Sequence, residues 1–233
     1  MTRLTFTRPV VLAGGGTLDH AMLARAVEAA RAVHADGAEA LIAADGAADR
    51  LAALGQRPDA VIGDMDSIED PGAWAARGVT MIDLAEQDTT DFEKCLYSVA
   101  APLYLAAGFT GRRHDHMLAV FHTMLRRSDQ RVVLIAEEEV IALAPPGREI
   151  ALRPGTGGRV SIFPLRPFRC GPSMGLAWPV DGLAMAPGEA IGTSNRAVAD
   201  AVTLRFDGAG ALLMLEHAAL ESLVGALTEP ATS

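Results

Sequence analysis

Through the first 135 positions the chain alternates between two hydrophobic rhythms. Short runs that are apolar at nearly every position have the length and content of buried strands: Pro9 to Ala13, Ala40 to Ala44, Ala60 to Ile62, Val79 to Ile82, Leu103 to Leu105 and Val132 to Ile135. Between them the apolar residues fall three and four apart. Leu23, Ala26, Val27 and Ala30 predict a helix from Asp19 to about His34. Further helices are predicted over Ala47 to Leu54, near Ala73 to Ala76, from about Asp88 onward, and over Asp115 to Arg126. Strands that are apolar throughout and alternate with helices predict an α/β domain, a parallel sheet covered on both faces in three layers.

Near Ala144-Pro145-Pro146-Gly147 the pattern changes. Glycine and proline become dense, and strand-like runs replace helices at Glu149 to Leu152, Arg159 to Phe163, Ala197 to Phe206 and Ala211 to Leu215. Asp207-Gly208-Ala209-Gly210 predicts the turn between the last two runs. Only Leu220, Leu223, Val224 and Leu227 suggest a closing helix. The expectation is two domains, 1–144 of α/β type and 145–233 of antiparallel β type. Trp178, between glycine and proline turns, reads as a core residue.

Composition narrows the class. With 233 residues, half of them hydrophobic, the chain can bury a substantial core. A formal net charge of −9 lacks the electrostatic footprint of a nucleic-acid-binding protein. The two cysteines, Cys95 and Cys170, make no metal-binding spacing and read as free buried thiols of a reducing compartment. Met1-Thr2-Arg3-Leu4-Thr5 has no basic segment leading into an apolar core, so no signal peptide is expected. No apolar run approaches the ~18 residues of a membrane span. A cytoplasmic protein with no membrane or nucleic-acid partner is the expectation.

The candidate chemistry lies in the turns after the strands, where parallel α/β sheets bind ligands. These turns are Gly14-Gly15-Gly16, Asp45-Gly46, Gly63-Asp64-Met65-Asp66-Ser67, Gln87 to Lys94, and Gly108 to His116. Taken alone, a glycine-rich turn is more often a tight connection than a phosphate cradle, and Asp88 and Asp91 read first as the cap and first turn of a helix. Asp64 and Asp66 carry more information. Residues two apart in an extended segment point the same way, so the two carboxylates repel unless a cation lies between them. Oxygen ligands of this kind suit Mg²⁺. Asp45, Asp64, Asp66, Asp88 and Asp91 at one sheet edge, with Lys94, Arg113 and His116 nearby, fit metal-assisted phosphoryl transfer.

In this order the motifs resemble the thiamine pyrophosphokinase (thiamine diphosphokinase) family. The resemblance runs through Ala44 to Leu51, Pro58 to Ile68, Gln87 to Lys94, Gly108 to His116, and Gly192-Thr193-Ser194-Asn195. It implies an α/β amino-terminal domain, a carboxy-terminal β-sandwich, and a homodimer with active sites between subunits. The implied reaction moves the pyrophosphoryl group of ATP to the hydroxyl of thiamine, with Mg²⁺ as cofactor. Asp64, Asp66, Asp88 and Asp91 would surround the metal, with Lys94 beside them as a catalytic cation. Asp45, Gly46, Gly111, Arg113, Asp115 and His116 would line the nucleotide side, and Ser194 and Asn195 would meet thiamine. A pyrophosphokinase for another alcohol, or a protein that binds Mg-nucleotide without turnover, are the alternatives. The chain departs from the family pattern at Arg112, Ala47, Asp49 and Met65. Its last strand, Leu212 to Leu215, lacks the aromatic that some members place there.

Overall fold

The computed structural model describes residues 3–34, 36 and 39–229. Met1 and Thr2, which open the segment read for a leader, and residues 230–233, which close the expected second domain, lie outside that range. The chain divides into two compact units, Met1–Thr123 with Leu134–Glu137, and Met124–Val133 with Glu138–Ser233. The change of texture near residue 145 therefore falls inside the second unit. That unit also takes in Val140–Leu143, a strand additional to the expected runs.

The first unit runs β1 (Leu4–Thr5), β2 (Val10–Ala13), α1 (His20–Ala32), β3 (Ala40–Ala44), α2 (Ala47–Ala53), β4 (Ala60–Gly63), α3 (Pro71–Ala76) and β5 (Thr80–Asp83). It continues through α4 (Asp91–Ser98), β6 (Val99–Ala100), β7 (Tyr104–Ala107) and α5 (His114–Arg126). The residues of β8 (Val132–Ile135) are shared between the two units. Five strands pair in parallel in the order β7-β2-β3-β4-β5. All residues of β2, β3, β4 and β7 are buried, as expected for strands covered on both faces. Edge strand β5 is mostly exposed, with only Ile82 fully buried.

Local chemistry sets the helix starts. Asp19 accepts from the Met22 amide at 2.8 Å and caps α1. Asp70 caps α3 through the Ala73 amide at 2.9 Å, with Pro71 in the first turn. The fourth helix opens at Asp91 rather than near Asp88, because Thr90 is its N-cap and accepts from the Glu93 amide at 3.3 Å.

Strand order and handedness place the ligand crevice. From β2 the chain steps outward to β3, β4 and β5, then returns across the sheet to β7 on the other side of β2. Right-handed crossovers put α1 to α3 on one face and α4 on the other. The direction of winding reverses between β2 and β7, the position where such sheets open a crevice. The loops after these strands, 14–19 and 108–113, lie side by side, with the Gly16 amide donating to Gly108 O at 2.6 Å.

The second unit is β-rich, as expected. It holds β9 (Val140–Leu143), β10 (Glu149–Leu152), β11 (Arg159–Pro164), β12 (Phe168–Arg169), β13 (Ala184–Met185), β14 (Gly192–Arg196), β15 (Val202–Arg205), β16 (Ala211–Leu215) and helix α6 (Leu220–Thr228). Strands β14-β11-β16-β9 form an antiparallel sheet, and β10-β15 and β12-β13 form two-stranded antiparallel pairs. Of the run expected from Ala197 to Phe206, only β15 (Val202–Arg205) is a strand; β14 ends before it at Arg196, and the connection between them carries exposed Asp200. Trp178 is 60% exposed and not in the core, because its backbone rather than its ring is held by a buried neighbour, Asn195.

Candidate active site

The crevice of the first unit is a cleft of about 690 Å³ bounded by the loops after β2, β3, β4, β5 and β7. Three carboxylates converge in it. Asp45, Asp64 and Asp66 each offer an oxygen within 4.8 Å of the others. Asp45 is 4% exposed, and its Oδ1 is buried without a hydrogen-bond partner. Burial pushes its carboxyl above the ordinary carboxylate range. Ser67 offsets part of that, and Asp64 and Asp66 add to it.

Backbone geometry brings these groups together. A Cβ on Gly63 would lie 2.7 Å from the Cβ of Asp45, so a glycine there lets the β3 and β4 loops touch. Among the described residues, the non-glycine positions with left-handed backbone are Asp45, Met65, Arg112 and Ser194. The first three sit in the motif turns, and Ser194 sits within strand β14 in the Gly192 to Asn195 motif. Strain of order 1–3 kcal/mol at such positions persists only where the surroundings enforce it, and it concentrates at functional sites.

The opposite wall comes from α4 and the turn before it. Lys94 is 2% exposed, and its Nζ lies 3.5 Å from Asp64 Oδ2 and 3.5 Å from Asp91 Oδ1. Asp91 and Lys94 thus share a helix face, as their spacing predicts. Burial alone would lower the Lys94 pKa, but Asp91 and Asp64 outweigh it and hold the ammonium above its ordinary value. Asp64 stays below its ordinary value because the Gln87 amide donates to it at 2.6 Å and Lys94 lies alongside. Burial raises Asp91 despite Lys94, with Asp45 and Asp64 adding to the rise. Both partners of the Lys94–Asp91 pair therefore shift upward, the burial of the carboxyl outweighing the pull of its neighbour.

Of the other residues singled out from the sequence, Gly111, Arg113 and His116 also bound the cleft. Arg113 pairs with exposed Asp115, its Nη2 2.6 Å from Oδ2. Asp88 and Asp115 are exposed and stand outside the cleft lining, and Gly46 packs against the Ser67 carbonyl. In the second unit, exposed Ser194 donates its amide to Ser161 Oγ at 2.9 Å. Asn195 is buried, and its side-chain amide is engaged internally. Nδ2 donates to Trp178 O at 2.6 Å, and Oδ1 accepts from the Trp178 and Arg196 amides.

Several supporting residues escaped the sequence reading. Asp49 accepts from the Trp74 indole at 3.0 Å and the Glu69 amide at 2.9 Å, tying the loop after β4 to α2. Arg50 donates to Gly16 O at 2.7 Å and ties the β2 loop to the same helix. Glu86 gathers the turn before α4. No local spacing marks these contacts, since partners 25 and 34 residues apart meet only through the fold.

The fold and the crevice define an α/β protein with three carboxylates gathered beyond the ends of its parallel strands. Residues 33–135 match the thiamin pyrophosphokinase catalytic domain. Thiamine pyrophosphokinase 1 of Oryza sativa subsp. japonica is 31% identical over 167 residues, covering 65% of this chain and 63% of that protein. The chain thus spans a little under two thirds of the length of such curated relatives. Among solved structures, thiamin pyrophosphokinase from Geobacillus thermodenitrificans aligns with a TM-score of 0.69 at 20% identity, covering 89% of this chain and 96% of that one. The Candida albicans enzyme aligns with a TM-score of 0.72 at 14% identity, over 92% and 93% of the two chains. The chain resembles thiamine pyrophosphokinases in sequence through the catalytic region and in fold through most of its length.

Proposed function

We propose that this protein is a thiamine diphosphokinase, transferring the β,γ-pyrophosphoryl group of ATP to the hydroxyl of thiamine. The observation that carries this reading is the convergence of Asp45, Asp64 and Asp66, together with an Asp45 Oδ1 that is buried and unpartnered. Three crowded carboxylates with an orphan oxygen fit a hard divalent cation such as Mg²⁺. Bound there, the ion supplies charge neutralisation for phosphate oxygens that would otherwise repel an incoming alcohol. Metal roles for Asp88 and Asp91, and nucleotide roles for Gly46, Gly111, Arg113, Asp115 and His116, rest on the motif resemblance.

The chain's own groups account for the rest. The thiamine hydroxyl oxygen forms a bond to the β-phosphorus, and the bond from that phosphorus to the α,β-bridging oxygen breaks, releasing AMP. Lys94, kept charged by Asp64 and Asp91, supplies fixed positive charge to the transferred group. Asp91, above its ordinary pKa and 44% exposed at the side chain, is better suited than Asp64 to take the hydroxyl proton. Ser194, exposed at a left-handed position within β14, presents its hydroxyl to thiamine, whereas Asn195 contributes by fixing the Trp178 segment. A homodimer with shared active sites belongs to the same proposal, supported by exposed Met174, Trp178, Ile191 and Val198 in the second unit. So does a cytoplasmic setting, supported by two buried free thiols. Among the described residues no helix is long and apolar enough to cross a membrane.

The test is AMP formation from ATP and Mg²⁺ with and without thiamine. Thiamine-dependent AMP is expected. AMP that appears equally without thiamine, or only with another alcohol, would replace the acceptor, and Mg-ATP binding without any AMP would make the protein a nucleotide-binding one.

A further inference from the structure

Glu86 lies one turn outside the cleft and belongs to none of the motif positions given a role. Its carboxylate nevertheless accepts four hydrogen bonds. Oε2 takes the backbone amides of Asp88 at 2.8 Å and Thr89 at 3.1 Å. Oε1 takes the Thr89 hydroxyl and, at 2.7 Å, the Tyr97 hydroxyl from the last turn of α4. One side chain therefore closes the turn 87–90 on itself and ties it to the far end of the helix that follows. Within that turn, Gln87 donates to Asp64 Oδ2 at 2.6 Å, and Thr90 caps the helix carrying Asp91 and Lys94. Lys94 reaches the same Asp64 oxygen at 3.5 Å. Asp64 is thus held through Oδ2 by two groups of the opposite wall, and its carboxylate orientation depends on where that wall stands.

A turn closed by one acceptor has a simple failure mode. Removing the carboxylate leaves two amides and two hydroxyls to find other partners, and the turn gains several backbone conformations. Gln87 then no longer meets Asp64 in a fixed geometry. Displacements of this size at a ligand carboxylate matter, because groups that orient metal ligands commonly change affinity 10–100-fold on mutation.

We propose that Glu86 is a positioning residue that locks the 87–90 turn, so that Gln87 holds Asp64 in the orientation a divalent cation requires. The proposal rests on the reading of Asp45, Asp64 and Asp66 as a cation site, and not on the identity of the acceptor alcohol.

The test is a double-mutant cycle of Glu86→Gln and Gln87→Ala on the full chain, read by Mn²⁺ binding in electron paramagnetic resonance. Melting temperature serves as the folding control. Each single variant is expected to weaken Mn²⁺ binding about tenfold, and the double variant no further, because Glu86 acts through Gln87. In the turnover assay, Glu86→Gln is expected to raise the Mg²⁺ concentration needed for half-maximal rate about tenfold, with the rate at saturating Mg²⁺ within about threefold of the parent. Fully additive losses, or Mn²⁺ affinity unchanged in Glu86→Gln, would overturn the role. A uniform loss of rate at every Mg²⁺ concentration with a lowered melting temperature would also overturn it. If the parent protein makes no AMP with thiamine, the binding cycle still decides the proposal. Failure of the parent itself to bind Mn²⁺ would overturn the cation site and, with it, this role.

Discussion

At Asp45 a carboxylate sits almost wholly out of water, with Asp64 and Asp66 within 4.8 Å and one oxygen lacking a partner. Burial raises its pKa, which fixes the sign of its effect on stability. A carboxyl whose folded pKa is raised favours the folded state fully below its ordinary value of 3.8 and loses that contribution as pH rises through the folded value. Asp45→Asn is therefore expected to melt at or above the parent temperature at pH 7, with the gap closing below about pH 4. Differential scanning calorimetry at the two pH values checks this. The same substitution should lower Mn²⁺ affinity by an order of magnitude or more. Stability gained where function is lost is the signature of a residue kept for a ligand.

Among elements, the turn preceding α4 and the glycine contact between the β3 and β4 loops carry the site. Loss of the helix cap in Thr90→Ala should cost about 1 kcal/mol in urea unfolding. It should also reduce turnover, because the helix it starts holds both Asp91 and Lys94. Gly63→Ala places a methyl 2.7 Å from the Asp45 Cβ, so the two loops must separate. The expected result is a folded protein with cation affinity lowered at least fivefold, measured by Mn²⁺ binding. These elements were unevenly legible in the sequence. The strands of the first unit were read closely because they are buried on both faces and apolar throughout, as in Val10 to Ala13. The start of α4 was misplaced by three residues because Asp88, Thr90 and Asp91 are all good capping types, and only the fold decides that Thr90 is used. The Asp64-Met65-Asp66 pair was legible because its two carboxylates are two residues apart, a spacing that points both the same way in an extended segment. Asp45 was legible as a member of the same sheet edge, but not as the third carboxylate beside that pair, since its closeness depends on the absence of a side chain at Gly63.

For the molecule as a whole, each unit has its own core and its own share of the motifs. The antiparallel unit was harder to read, since short strands among glycine and proline turns give weak periodicity. Trp178 shows the limit: hydrophobicity alone placed it inside, whereas its ring is exposed and only its backbone is clamped by Asn195. Asn195→Ala should leave three backbone groups without their partner and lower stability by about 1–3 kcal/mol, measured by urea unfolding. The central claim is that carboxylates gathered by the first unit hold the cation that serves pyrophosphoryl transfer. Its most direct measurement is thiamine-dependent AMP formation by Asp64→Asn beside the parent protein, with melting temperatures recorded for both. Turnover is expected to be lower by at least two orders of magnitude in a variant that still folds and melts cooperatively. A modest drop in melting temperature is expected from the loss of the Asp64 partner of Lys94. Near-normal turnover in the folded variant would contradict the claim.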